Sequence, residues 1–163
     1  MNAGQLCTRT VVFALPGNTV KHAAELMRNF DVGDVVVVAQ EEDLRRPIGI
    51  VTDRDVTTKV VAHGLDADQL DVDEIMRQDI VIVDEKHSVE EVAHTMRVHG
   101  VRRTPVVNSS GGLEGILSFD DIVDHLAEQM TELAKLVQRQ QEHQRQVLIH
   151  TSPEEEIPPP SRP

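Results

Sequence analysis

The chain contains one sequence pattern twice. Residues 49–55 read GIVTDRD and residues 115–121 read GILSFDD, so each copy has a glycine, two apolar residues, a hydroxyl residue and an aspartate three positions later. The preceding sequence also matches, because 19–38 aligns with 88–107 at an offset of 69 residues (88 − 19). A duplicated unit predicts two similar halves that pack against each other, and the cleft between them is a natural site for a small ligand.

The composition excludes several classes of protein. The chain has 163 residues, a formal net charge of −12, no Trp, no Tyr and three Phe, whereas nucleic-acid binding favours basic grooves and stacking rings, and anionic membrane surfaces also attract basic proteins. A single cysteine, Cys7, allows no intrachain disulfide. The longest apolar run, Val35–Ala39, is too short to span a bilayer. We therefore predict a soluble cytoplasmic protein that binds neither nucleic acid nor membrane.

Each half is predicted to run strand, helix, strand, strand, helix. Apolar spacing, helix-capping residues and turn residues give these bounds. In the first half the predicted elements are a strand at Thr10–Ala14, a helix capped by Thr19, strands at Val35–Ala39 and Ile48–Val51 around a charged loop, and a helix from Thr52 to about Ala62. In the second half they are a helical turn at Asp73–Met76, strands at Ile80–Val83, Thr104–Val107 and Leu113–Leu117, a helix capped by Ser88, and a helix that begins at Ser118.

The last helix is predicted to continue beyond the second half. Leu126, Met130, Leu133 and Val137 are spaced by 4, 3 and 4 residues, which forms one apolar stripe. This stripe either packs on its own module or pairs with a helix of another subunit, and the polar continuation favours the second alternative. The predicted segments are residues 8–62, linker 63–72, 73–126, helical extension 127–150 and a disordered tail 151–163, rich in Glu and Pro.

The repeated motif has a plausible ligand chemistry. A hydroxyl at a helix N-terminus lies beside free N–H groups and partial positive charge, which attract phosphate. Asp55 follows Thr52 by three residues and shares its helix face, where its carboxylate can accept hydrogen bonds from both hydroxyls of a ribose. Gly49 leaves the approach free of a side chain. The same spacing is also that of a capping box, which needs no ligand, so both interpretations stay open.

Further residues connect the chain to a known family. Residues 101–107 read VRRTPVV, residues 73–76 read DEIM and residues 52–56 read TDRDV. Together with the two motifs, they make residues 8–126 resemble a tandem pair of CBS (cystathionine-β-synthase) domains, a Bateman module. The resemblance implies an α+β fold of two β-α-β-β-α repeats about a pseudo-twofold axis, followed here by the long helix and the tail. It also implies an adenosyl ligand (AMP, ADP, ATP or S-adenosylmethionine) in the cleft, with no required cofactor.

The same resemblance assigns ligand-binding residues. It places the ribose and phosphate on Thr52 and Asp55 in one site and on Ser118 and Asp121 in the other. In the family, basic residues before the Pro-Val-Val strand reach the phosphate held by the opposite repeat, which here implies Arg102 and Arg103.

The two sites are not expected to be equal. The first repeat has Gly33 and Asp34 where the second has the two arginines. We therefore hypothesise a phosphate-binding composite site of Thr52, Asp55, Arg102 and Arg103, and a Ser118/Asp121 site that faces Asp34 and binds anions less well. The first strand, around Val12, is expected to contact the adenine of the first site. Arg54, which has Asp120 at the matching position, adds to the asymmetry, but the sequence does not determine which cleft Arg54 faces.

The histidines and lysines of the chain do not form a recognisable metal or catalytic motif. The eight histidines include no pair at His-x-x-x-His spacing, so no metal site is predicted. Lys59, Lys86 and Lys135 are isolated and are interpreted as solvated. Because no nucleophile, base and orienting group occur at a recognisable spacing, we predict a non-enzymatic sensor that forms a homodimer and regulates an unknown effector. The alternatives are an interaction module whose degenerate sites bind no nucleotide and a regulatory piece detached from an enzyme or channel.

Overall fold

The protein divides after Val123 into two units. The computed structural model describes the backbone of residues 1–150 and the side chains of residues 1–145, so the predicted tail 151–163 lies outside the described residues. Among them, no helix is both long enough and apolar enough to cross a membrane. The unit that begins at Asp124 is described only as part of the final helix, α6 (Phe119–His150).

The first unit contains two halves of mixed helix and strand, which confirms the predicted α+β class. The first half comprises β1 (Phe13–Ala14), α2 (Val20–Phe30), β2 (Asp34–Glu41), β3 (Leu44–Thr52) and α3 (Asp53–Asp55), and follows a short N-terminal helix, α1 (Ala3–Leu6). Helix α3 continues as a π-helical turn, Val56–Val60, and a 3₁₀ turn, Val61–His63. The second half comprises α4 (Val72–Ile75), β4 (Val83–Asp84), α5 (Val89–His99), β5 (Arg103–Val107), β6 (Leu113–Ser118) and the start of α6.

Each half has one three-stranded sheet of the same topology. The sheets have the orders β1-β2-β3 and β4-β5-β6, with the first pair parallel and the second antiparallel. The predicted valine strand is buried throughout Val35–Val38. Because alternate residues of a strand face opposite sides, Val35 and Val37 enter the core of the first half while Val36 and Val38 are buried on the other face. A sheet that buries both faces can therefore pack a helix on one side and other chain segments on the other.

The segment before each sheet crosses to the other half. Helix α1 was not predicted, and its Ala3 belongs to the core of the second half, where its N–H donates to His87 O (2.8 Å). Helix α4, which the sequence placed at the start of the second copy, contributes Val72 and Ile75 to the core of the first half. The exchange is reciprocal, as shown by matched antiparallel bridges at Asn2–Ser88 and Asp71–Thr19, and at Thr8–Ile116 and Arg77–Ile50.

This exchange shortens the first strand and explains the motif glycines. The predicted strand Thr10–Ala14 is only Phe13–Ala14, because the preceding residues follow the other half and Thr8 pairs with Ile116. A Cβ on Gly115 would lie 2.9 Å from Thr8 O, and one on Gly49 would lie 3.1 Å from Arg77 O. Each glycine therefore lets the crossing segment approach the sheet, which differs from the ligand approach expected from the sequence.

The predicted turns and caps agree with the structure, with one exception. Thr19 and Ser88 cap α2 and α5, and Ser88 forms the predicted capping box with Glu91. The Asn108 side chain accepts hydrogen bonds from the N–H groups of Ser110 and Gly112, as a turn residue does. The charged loop predicted before β3 is instead strand on both sides of a short turn, because β2 and β3 pair as far as Glu41 and Leu44.

Candidate ligand-binding cleft

An open cleft of about 230 Å³ lies within the first unit, between the two halves. Ser118 and Asp121 of the second motif line it together with Arg103, three of the predicted site residues. The remaining lining comes from the crossing segment, the end of α2 with the start of β2, and β6: Thr8, Thr10, Val11, Val12, Asp31, Val32, Gly33, Asp34 and Ile116. The cleft thus combines an apolar wall of backbone and valine with a polar end that carries three carboxylates and one guanidinium.

Ser118 and Asp121 form a reciprocal cap at the start of α6. Ser118 donates from its N–H (2.8 Å) and from Oγ (2.6 Å) to Asp121 Oδ2, and Asp121 N–H donates to Ser118 Oγ (3.1 Å). Within residues 1–145, no basic side chain lies within 4 Å of Asp121. The Oδ1 atom of this half-exposed carboxylate is therefore available to hydrogen-bond donors of a ligand.

Thr52 and Asp55 form the same cap but not the same site. Thr52 donates from N–H (3.1 Å) and Oγ1 (2.7 Å) to Asp55 Oδ2, while Oδ1 is 3.0 Å from Lys59 Nζ and 3.9 Å from Arg77 Nε. Asp55 is 3% exposed. Burial raises its pKa, but hydrogen bonds from Thr52 and Lys59 outweigh burial and hold the pKa below its usual value. In the first motif, the second carboxylate oxygen therefore faces Lys59 and Arg77 of the same chain.

Neither cationic partner of Asp55 has a lysine or arginine at the equivalent position of the second motif. Equivalent residues of the two halves are 69 positions apart before the hairpin and 66 positions apart after it (118 − 52). Arg77 therefore corresponds to Thr8, and Lys59 corresponds to His125. Lys59 is not isolated, as the sequence had suggested, because its ammonium pairs with Asp55 and also donates to Ile75 O (2.6 Å), although its side chain remains 43% exposed. The i to i+4 spacing from Asp55 was the available signal for this pair.

An ion pair joins two residues that occupy equivalent positions in the halves. Arg103 donates from Nη1 to Asp34 Oδ1 at 2.7 Å, and the two residues are 69 positions apart, the offset of the repeat. Burial raises the pKa of Asp34, and the nearby Arg103 lowers it by less, so the pKa lies above its usual value. The expectation that Asp34 faces Ser118 and Asp121 agrees with the lining of the cleft.

The composite grouping predicted from the sequence differs from the one in the structure. Arg103 lines the cleft with Ser118 and Asp121, while Thr52 and Asp55 do not line it. Val12, expected beside the first motif, lines the cleft of the second, although its carbonyl accepts from Val36 N–H (3.1 Å) and its side chain packs against the core of the first half.

Arg54 and Arg102 also lie outside the lining of the cleft. Arg54 is exposed on α3. Arg102 pairs with Asp120 (3.1 Å) and lies over the Phe119 ring, 5.7 Å from its centroid.

Four lining residues were not expected from the sequence: Thr8, Thr10, Asp31 and Val32. The pairing that brings them together is non-local and leaves no periodic signal, although the repeat offset could have related Thr8 to Arg77. Among the described residues, no group of three or more His, Cys, Asp or Glu side chains is arranged to hold a metal ion.

Comparison with known proteins identifies the family. The family model for the CBS domain matches residues 3–62 and 72–128. The chain therefore belongs to the CBS-domain family and carries two CBS domains in tandem. Hypoxic response protein 1 of Mycobacterium tuberculosis (strain ATCC 25618 / H37Rv) is 36% identical over 128 residues, which cover 78% of this chain and 82% of that protein.

Another relative is longer than the matched region. An uncharacterized protein of Methanopyrus kandleri is 35% identical over 123 residues, which cover 76% of this chain and 61% of that protein. This chain therefore matches less than two thirds of that relative's length.

Solved structures share the fold. The hexameric CBS-CP12 protein from bloom-forming cyanobacteria superposes with a TM-score of 0.66 at 34% identity and covers 76% of this chain and 69% of its own. The cytosolic domain of the Mg²⁺ channel MgtE in complex with ATP gives a TM-score of 0.63 at 30% identity, covering 76% of this chain and 48% of that one.

Proposed function

We propose that this CBS-pair protein is a non-enzymatic regulator that binds one adenosine-containing ligand in the cleft of Asp121. The observation that carries the proposal is the contrast between the two motif carboxylates. Asp121 is half-exposed on the cleft and offers Oδ1, while Asp55 is buried and its Oδ1 faces Lys59. The complex of MgtE with ATP supports an adenosine ligand, because that domain has the same fold.

In the proposed complex the ribose, the adenine and the 5′ substituent each contact a different part of the cleft. The ribose hydroxyls donate to Asp121 Oδ1, and the adenine lies against the apolar wall of Val11, Val12 and Ile116. The volume of about 230 Å³ is near the lower end for small-molecule sites, so the 5′ substituent extends toward the open end at Asp34 and Arg103. A ligand that contacts both halves shifts the equilibrium between two arrangements of the halves only if it binds one arrangement more tightly than the other.

Isothermal titration calorimetry tests the proposal with adenosine, AMP, ATP and S-adenosylmethionine. We expect binding with a stoichiometry of one, at least a tenfold loss of affinity in Asp121→Asn, and unchanged affinity in the matched variant Asp55→Asn. Asparagine keeps an oxygen that can accept the hydrogen bonds of the cap, so both variants retain the helix start. Equal losses from the two substitutions would contradict the assignment of the site.

A second function is supported by the caps themselves. In both motifs the hydroxyl and the carboxylate satisfy each other at the helix start, which accounts for the pattern without any ligand. The alternative is an interaction module whose clefts bind no nucleotide. Absence of heat and of thermal stabilisation with all four compounds at millimolar concentration would favour this alternative.

A further inference from the structure

The outer part of α6 carries an apolar seam that no other described residue of its own unit covers. Leu126, Met130, Leu133, Leu136 and Val137 are each between 52% and 69% exposed. Spacings of 4, 3 and 4 place Leu126, Met130, Leu133 and Val137 on one line along the helix, as in a coiled coil. We propose that this seam pairs with the same seam of a second copy of the chain, and that the two helices run antiparallel.

The residues beside the seam favour a second copy as the partner. Ala127, Gln129, Ala134 and Leu136 occupy the flanking positions, so no charge borders the seam between residues 126 and 137. Two copies of a chain with a net charge of −12 repel each other, and an uncharged border keeps like charges away from their contact. The alanines also allow close approach of the two helices.

The charges on the outer face select the orientation. Asp124, Glu128 and Glu132 make the first half of this segment acidic, whereas Lys135, Arg139 and Arg145 make the second half basic, with Glu142 as the exception. A parallel pair places acidic beside acidic and basic beside basic. An antiparallel pair places each acidic half beside a basic half. Long-range repulsion between the two copies is therefore smaller in that orientation, although these side chains lie on the outer face and do not contact the partner helix.

The antiparallel arrangement also gives a consistent register. Leu126 of one copy lies opposite Val137 of the second copy, and Met130 lies opposite Leu133, so the seam forms four apolar layers. In the same register Asp124 is level with Arg139 and Glu128 is level with Lys135 along the pair, each on the outer face of its helix. Ten half-exposed apolar side chains, five from each copy, supply roughly 1,000 Å² of buried area, which is about the threshold for a biological interface.

Cysteine cross-linking of the full chain tests the register. We expect the Leu126→Cys/Val137→Cys variant to form a disulfide-linked dimer of twice 18.1 kDa under a mild oxidant, while each single variant stays monomeric on a non-reducing gel. The two cysteines cannot link within one chain, because 11 residues of helix separate them by about 16 Å. The native Cys7 does not interfere, since it is buried and burial raises its thiol pKa.

Two controls decide the outcome. A Leu126→Cys/Gln138→Cys pair places one thiol away from the seam and is expected to link at least tenfold more slowly. Adding Leu133→Lys to the linking variant is expected to slow the reaction by at least tenfold. Efficient linking by Leu126→Cys alone would establish a parallel pair and overturn the proposal, as would a rate that neither control changes.

Discussion

Asp34 is expected to determine how the cleft responds to ligand charge. At present its carboxylate is 2.7 Å from Arg103 Nη1, so the two charges nearly cancel at the open end of the cleft. The Asp34→Asn variant removes the carboxylate that pairs directly with Arg103 while preserving the shape of the side chain. We therefore expect this variant to bind AMP more tightly relative to adenosine, which has no phosphate.

The size of the effect follows from the dimensions of the cleft. We take roughly 6 Å, the edge of a cube of about 230 Å³, as the distance between a ligand phosphate and the charge that the substitution removes. One unit charge at about 6 Å contributes about 3 kcal/mol at an effective dielectric constant of about 20, and roughly half of that in an open, wet cleft. Since about 1.4 kcal/mol is tenfold in affinity, the ratio of AMP to adenosine affinity is expected to rise about tenfold per phosphate charge.

Calorimetric titration of the wild type and Asp34→Asn with adenosine and AMP measures this ratio. The variant is expected to fold, because burial raises the pKa of Asp34 and its ionised form therefore costs stability at neutral pH. That cost disappears as the pH falls below the folded pKa. Glu90→Gln, an exposed change on α5, controls for net charge. A ratio that changes less than threefold in Asp34→Asn, or equally in Glu90→Gln, would refute the electrostatic reasoning.

Three further predictions concern the first motif and the crossing segments. Asp55→Asn is expected to lower the free energy of unfolding by about 1–2 kcal/mol at pH 7, and because the pKa of Asp55 is lowered, urea titrations should show this difference shrink below about pH 4. The double variant Lys59→His/Arg77→Thr gives the first motif the residues found at the equivalent positions of the second. It is expected to raise the stoichiometry of adenosine binding from one toward two, because Asp55 Oδ1 loses its cationic partners. An unchanged stoichiometry would show that these two cations do not prevent binding at Asp55. Gly115→Ala is expected to lower the Tm by roughly 3–10 °C, because its Cβ collides with the Thr8 segment. Gly17→Ala, which meets nothing within 4 Å, should leave the Tm nearly unchanged.

Local patterns predicted the elements, but non-local pairing determined the site. The caps at Thr19 and Ser88 and the apolar run at Val35–Val38 carry their signal within a few residues, so their elements were predictable. The four-residue helix α1 is too short for any periodicity, and nothing near Thr8 in the sequence indicates that this residue pairs with Ile116 of β6. For that reason Val12 was paired with the first motif from sequence, although the structure places it beside the second.

The ion pair between Asp34 and Arg103 shows how a duplicated protein becomes asymmetric. In a symmetric duplicate, these equivalent positions carry the same residue and face each other, so two aspartates or two arginines there would repel at close range. One residue of each sign turns that repulsion into attraction across the two halves and makes the charge beside the two motifs different. The exchange of Thr8 for Arg77 and of His125 for Lys59 continues the same divergence around the motif carboxylates. The caps and the motif glycines stay the same in both halves, while the residues that differ are those that decide which carboxylate is open to a ligand.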